Sequence, residues 1–207
     1  MAQLLADSLL EFHLTVLREI FGGSSYQDIK EKFSDKFNDL NYEEIAVSNN
    51  LLTFDNDGVL IGAYPVSPSK TPFKVTIDSI GTSYCMCAID ALGIPYTFNK
   101  KTTINAQDKS TNRDVTIEID PITEKVKKDF SGDLFVTYKD PDKVCNIAQD
   151  QCPVINFYSD KQSIPIDKDL IIFSFNEALA HAKNIFSQDA IKKNFFNGFK
   201  AIAKEDL

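Results

Sequence analysis

Apolar residues change their spacing twice along this chain, and that change limits the folds open to it. Leu10, Leu14, Leu17 and Phe21 fall at helical spacing, which predicts an amphipathic helix from Ala2 to Phe21 ended by Gly22-Gly23. Ser25 with Asp28 opens a short helix through Phe33, and Asn41 with Glu44 opens a third near Tyr42 to Ser48. The pattern then becomes strand-like. Leu51 to Phe54 and Val59 to Ala63, joined by Asp55-Asn56-Asp57-Gly58, read as a hairpin. Three helices and a hairpin give residues 1–72 the outline of a winged-helix-like N-terminal domain. Pro65, Pro68 and Pro72 mark a linker-like stretch. Beyond it, Phe73 to Ile77, Thr97 to Asn105, Asp114 to Ile119, Leu134 to Tyr138 and Val154 to Tyr158 read as strands, with turns at Asp108-Lys109 and Ser131-Gly132-Asp133. Helical spacing returns with a capping box, Ser174-x-x-Glu177, opening a helix through Phe186. A last helix, Ile191 to Ala203, carries the stripe Phe195, Phe199 and Ile202. Strands that run on through short turns, with helices grouped at the ends, predict an α+β fold with a mixed or antiparallel sheet in a second domain, 73–207.

Composition excludes several function classes. The net charge is −8, and residues 1–75 hold six cationic side chains (Arg18, Lys30, Lys32, Lys36, Lys70, Lys74) against eleven anionic ones, which argues against nucleic acid as a partner. No apolar run is long enough to span a membrane. The first residues lack a basic region, and Asp7 and Glu11 interrupt the apolar ones, so the expected location is the cytoplasm. Four cysteines in 207 residues do not make a disulfide scaffold, and without C-x₂-C pairs and with only two histidines they do not make a structural zinc site.

The chemistry is concentrated between Tyr84 and Pro95, where Cys85, Cys87 and Asp90 fall within six positions. Ala88 to Leu92 favour a helix that Gly93 and Pro95 would stop. In that helix Cys87 and Asp90, three apart, share a face. A thiol in the first turn gains from the helix N-terminus, which favours its thiolate. A thiolate beside a carboxyl group suits a nucleophile or soft-metal ligand with its own acid/base partner. A C-x-x-D pair taken alone is more often plain packing, since free cysteine is among the most buried residue types. A second thiol in a matching context, Cys152, shifts the balance towards chemistry.

Tyr84-Cys85-Met86-Cys87-Ala88-Ile89-Asp90-Ala91-Leu92 resembles the catalytic helix of the alkylmercury lyases, whose pattern is aromatic-x-Trp-Cys-Ala-Leu-Asp-Thr-Leu. Gln149-Asp150-Gln151-Cys152-Pro153-Val154-Ile155-Asn156-Phe157-Tyr158 resembles the family's second cysteine segment, which reads Cys-Cys-His-Val-His-Phe-Phe. Phe54-Asp55-Asn56-Asp57-Gly58-Val59-Leu60-Ile61-Gly62 resembles Tyr-Asp-x-Asp-Gly-x-Ile-Ile-Gly. The similarity runs in order from about Leu14 to Phe186. It implies cleavage of carbon–mercury bonds by protonolysis, releasing a hydrocarbon and Hg(II). Cys87 would be first thiolate and proton source, Asp90 proton shuttle and transient ligand, and Cys152 second thiolate. It implies no organic cofactor, mercury being held as substrate and product. It also implies low-molecular-weight thiols as partners, and a mercuric reductase as acceptor of Hg(II). Residues 1–72 would then be a packing layer over the catalytic domain.

The sequence departs from the family at Met86, where Trp is usual, and at Pro153, Val154 and Asn156, which replace a cysteine and two histidines; a further family cysteine has no counterpart near Asn105. Cys85 reads as structural, Cys145 as a metal ferry or an idle thiol, His13 and His181 as structural or solvated, and Tyr84 as pocket wall or core. The competing readings are a non-catalytic protein holding copper or another soft metal through Cys87 and Cys152, a lyase for organotin or organoarsenical compounds, and a metal-responsive regulator resting on the N-terminal shape alone.

Overall fold

The computed structural model describes residues 2–130, 132–144 and 147–205, with side-chain environments for residues 3–197 among these. It is an α+β fold. Helices α1 (Ala2–Phe21), α2 (Tyr26–Lys32), α3 (Ser34–Asp39) and α4 (Tyr42–Ser48) come first. The expected N-terminal segment of three helices therefore contains four, because Phe33 ends α2 and a further turn, Ser34–Asp39, follows at once. Ser25 caps α2 by accepting from the Asp28 N–H at 3.1 Å. Asn41 does not cap α4 in the expected way. It sits in the left-handed region at φ 46° and donates its side-chain amide to Glu44 Oε2 at 2.7 Å instead. The apolar faces of these helices meet in an aromatic cluster, with Phe12 edge-on to Phe33, Phe37 and Tyr42.

The next strands are β1 (Leu52–Phe54), β2 (Leu60–Ala63), β3 (Val66–Ser67), β4 (Phe73–Ile77), β5 (Gly81–Cys85), β6 (Thr102–Gln107), β7 (Asp114–Asp120) and β8 (Lys125–Lys128). They form one antiparallel sheet in the order β1-β2-β3-β5-β4-β6-β7-β8. The proline stretch expected to be a linker thus contributes strand β3, buried and paired with β5. In β4, β6 and β7 burial alternates residue by residue, so one face of the sheet meets the core. Strand β8, missed in the sequence because it is mostly lysine, is an edge strand; charge there discourages pairing with other chains.

Helix α5 (Ala88–Phe98) lies on this sheet and against α6 (Phe175–Phe186). It runs through Gly93 and Pro95, where the sequence predicts a stop, and ends at Asn99, φ 51°. Nearly every residue of α5 is buried, so packing on all sides outweighs the local cost of glycine and proline. Gly93 is needed for that packing: a Cβ there would lie 2.3 Å from Phe186 Cδ2. Thr97, expected in a strand, is helical and donates its hydroxyl to the Phe186 C=O at 2.9 Å.

Three more strands, β9 (Phe135–Lys139), β10 (Phe157–Tyr158) and β11 (Leu170–Ser174), form a second antiparallel sheet in the order β10-β9-β11. The strand expected over Val154 to Tyr158 is only its last two residues; Cys152–Val154 forms a 3₁₀ turn, as Pro153 favours. Helix α6 starts at the predicted capping box, Ser174 with Glu177. Helix α7 (Gln188–Glu205) packs on α1. Its Phe195 is fully buried; Phe199 and Ile202 lie outside the described side chains. No helix among the described residues is long and apolar enough to cross a membrane.

Candidate active site

Strand β5 delivers the chain to the start of α5, and Cys87 is the residue that caps it. Its backbone is extended, and its Sγ accepts from the Asp90 N–H at 3.5 Å. Asp90 follows in the first turn. Cys152 opens the 3₁₀ turn after a single turn of π-helix, Ile147–Gln151. Two sets of hydrogen bonds bring this distant segment to α5. The Ala88 N–H donates to the Ile155 C=O at 3.2 Å. On β9, the Thr137 hydroxyl donates to the Val154 C=O at 2.6 Å and accepts from the Asn156 N–H at 3.0 Å.

The result is a cluster in which Cys87 Sγ, Cys152 Sγ and a carboxylate oxygen of Asp90 all lie within 4.8 Å of one another, all three residues buried. Cys152 Sγ is 3.9 Å from Asp90 Oδ2. Burial pushes the Asp90 carboxyl up to about 7, against hydrogen bonds from Cys87 and Cys152 that favour the carboxylate. Burial also pushes the Cys87 thiol well above its ordinary range, followed by the hydrogen bond with Cys152 and the charge of Asp90. The sequence predicts the opposite direction for Cys87, from its place at a helix start; desolvation is the larger effect here. The Cys87 sulfur therefore holds its proton. A soft ion must displace thiol protons to bind.

The cluster opens on a cavity of about 140 Å³. Leu51, Tyr64, Ile89, Tyr138, Ile155 and Phe186 are among its walls. The Tyr64 hydroxyl lies 3.6 Å from Cys152 Sγ, and burial holds that phenol far above its usual range. Gln151 donates to the Lys139 C=O and lines the cavity beside Cys152. Tyr64, Tyr138 and Gln151 carry no spacing signal in the sequence; the fold alone brings them here.

The positions where the sequence departs from the lyase pattern fall elsewhere. Met86, Pro153, Val154 and Asn156 are not among the cavity's walls, and Asn156 instead donates to the Pro153 C=O at 3.0 Å. Tyr84 is half-buried on β5, opposite Ser67 and Lys74, and does not line the cavity. Cys85 is buried at the end of β5 and stands outside the three-residue cluster. Cys145 lies outside the described residues. His13 is fully buried with both ring nitrogens bonded, to Tyr42 Oη at 2.7 Å and the Tyr64 C=O at 3.2 Å, and burial lowers it to about 4. His181 packs against the rings of Tyr138 and Phe173.

Residues 66–166 match the family model described as MerB: Alkylmercury lyase, a span that contains Cys87, Asp90 and Cys152. Among solved structures, the fold is similar to one titled "Crystal structure of the mercury-bound form of MerB2", with TM-score 0.61 and 16% identity over 94% of this chain and 98% of that one. No curated protein matches.

Proposed function

We propose that this protein is an organomercurial lyase that cleaves carbon–mercury bonds by protonolysis. The observation that carries the reading is the convergence of two buried thiols and one buried carboxyl group, their ligand atoms within 4.8 Å, beside a cavity. Mercury is soft and thiophilic, so two thiolates are its natural ligands. The family match over the segment holding all three residues supports the same conclusion.

The steps follow from the arrangement. An organomercurial R–Hg⁺ binds the Cys87 sulfur, and the thiol proton leaves to the displaced ligand. Cys152, rather than Cys87 as the resemblance implies, then passes its proton to Asp90 Oδ2, 3.9 Å away, as its sulfur joins mercury. Two sulfurs donate charge to mercury and make the attached carbon more basic. The Asp90 proton goes to that carbon; the C–Hg electron pair becomes the C–H bond. The hydrocarbon departs, Hg(II) stays on both sulfurs, and Asp90 is again a carboxylate. A carboxyl group near 7 both takes and gives a proton at neutral pH. No organic cofactor enters. Low-molecular-weight thiols would deliver the substrate and help remove Hg(II), which a mercuric reductase would accept. In this reading residues 73–207 carry the chemistry, while residues 1–72 supply Leu51 and Tyr64 to the wall.

The test is direct. Purified protein mixed with phenylmercury and excess thiol should release benzene. Tight Hg(II) binding with no benzene would instead make it a soft-metal carrier.

A further inference from the structure

The N-terminal segment reaches the Cys152 sulfur through a hydroxyl. Tyr64 is buried, and its phenol oxygen is 3.6 Å from Cys152 Sγ. Cys152 in turn points its thiol at Asp90 Oδ2. A sulfur that gives its hydrogen to a carboxylate has only lone pairs left, so the Tyr64 hydroxyl is the donor in its own contact. The ring is held by other means. Its backbone N–H donates to the Leu51 C=O at 2.9 Å, and its C=O accepts from His13 Nε2 at 3.2 Å. A carbonyl only accepts, so Nε2 carries the histidine proton and Nδ1 accepts from the Tyr42 hydroxyl at 2.7 Å. Gly62 leaves room beneath the ring, since a Cβ there would lie 3.2 Å from Tyr64 Cε2. None of these contacts uses the Tyr64 hydroxyl. That group is committed to Cys152.

We propose that Tyr64 is a positioning residue, whose hydroxyl holds the Cys152 sulfur turned towards Cys87 and Asp90. The proposal rests on reading Cys87 and Cys152 as mercury ligands. A cysteine sulfur has three staggered positions about one bond, and a fixed hydrogen-bond partner favours one of them. Cys152 needs such a partner because it stands between a π-turn and a 3₁₀ turn, without a regular helix to orient it. The O–H donor keeps its role after the sulfur gives up its proton, and a charged sulfur accepts more strongly. A mercurial captured by Cys87 then meets a second sulfur already in place.

The test separates Tyr64's hydroxyl from its ring and needs no turnover. Phenylmercury is partitioned between glutathione and the protein, with Cys145→Ser throughout. Tyr64→Phe is introduced into a Cys87→Ser protein, where Cys152 remains, and into a Cys152→Ser protein, where Cys87 remains. A variant lacking both site thiols sets the blank. Losing a hydrogen bond to a charged acceptor should weaken retention by Cys152 about tenfold, while retention by Cys87 changes less than twofold. Gly62→Ala, which presses on the ring, should repeat that pattern if Tyr64→Phe folds poorly. Equal losses at both cysteines would show a merely structural ring and overturn the proposal, as would no loss at Cys152. Absence of benzene release from the parent protein would overturn the lyase reading while leaving this result intact.

Discussion

The Ala88 N–H donates to the Ile155 C=O at 3.2 Å, and this bond ties together two segments far apart in sequence. Ala88 follows Cys87, and Ile155 stands three residues after Cys152. One end of α5 is therefore fixed to the turn that carries the second thiol. Two sulfurs can share one soft ion only if their backbones keep this separation. The two sheets supply the rigid support, β5 of the first leading into Cys87 and β9 of the second gripping the Cys152 turn through Thr137.

Thr137→Val keeps the shape of a fully buried side chain but removes its hydroxyl. The Val154 C=O loses its 2.6 Å donor and the Asn156 N–H its 3.0 Å acceptor. Leaving buried polar groups unpaired should cost about 1–3 kcal/mol, read as a lower midpoint in denaturant unfolding. Hg(II) retention should fall as well, because the Cys152 turn loses its anchor. An unchanged midpoint would mean that the turn is held by other contacts.

Gly93→Ala tests the fit of α5 against α6. The new methyl group would lie 2.3 Å from Phe186 Cδ2 and 2.8 Å from Phe186 Cβ, too near the backbone for a simple ring rotation to relieve. Helix propensity alone would favour alanine by about 1 kcal/mol. Overpacking typically costs about 1–3 kcal/mol, and here it should win. Thermal unfolding should report a lower Tm. A raised Tm would show that α6 can slide away.

The fold was legible wherever local chemistry and tertiary packing agree. Helix α1, strand β4 and the capping box of α6 follow from spacing and end signals alone. Helix α5 was misread at its end because Gly93 and Pro95 are local stop signals, whereas their meaning here is set by Phe186 and the sheet. Strand β8 escaped notice because an exposed lysine-rich edge shows no apolar alternation. At the site, Cys87, Asp90 and Cys152 stand out by residue type and spacing. Tyr64 does not: a single tyrosine beside a hairpin looks like any core aromatic until the fold places its hydroxyl on Cys152.

Asp90 should make stability depend on pH in an unusual direction for a carboxylate. Burial raises its pKa from 3.8 to about 7 in the folded protein. Between those values the folded state holds a proton that the unfolded state has released. Its contribution is thus full below pH 3.8 and is lost as pH rises through about 7. Asp90→Asn removes this loss, so the variant should gain on the parent as pH rises from about 4 to 7 and level off above, reaching a few kcal/mol at most. His13 acts oppositely, losing stability as pH falls from 6.5 towards 4, but it is present in both proteins and cancels. Melting curves at several pH values check this. A gap that stays constant with pH would place the Asp90 carboxyl near its ordinary range.

The same substitution separates a lyase from a carrier. A carrier needs only two thiolates, so Asp90→Asn should bind Hg(II) almost as well as the parent. A lyase must also deliver a proton to carbon, and an amide does not carry one. Positioned acid/base groups are typically worth about 10²–10⁴ in rate, so benzene release from phenylmercury should fall by a factor of that order. Cys87→Ser and Cys152→Ser should lose both binding and release, because a hydroxyl is a poor ligand for a soft metal. Binding is read by competition with small thiols and release by gas chromatography on the same samples. Parental rates from Asp90→Asn would move the proton source elsewhere, to Tyr64 or bulk solvent, and would remove Asp90 from the mechanism. Release that falls together with binding would make Asp90 a ligand first and a shuttle second.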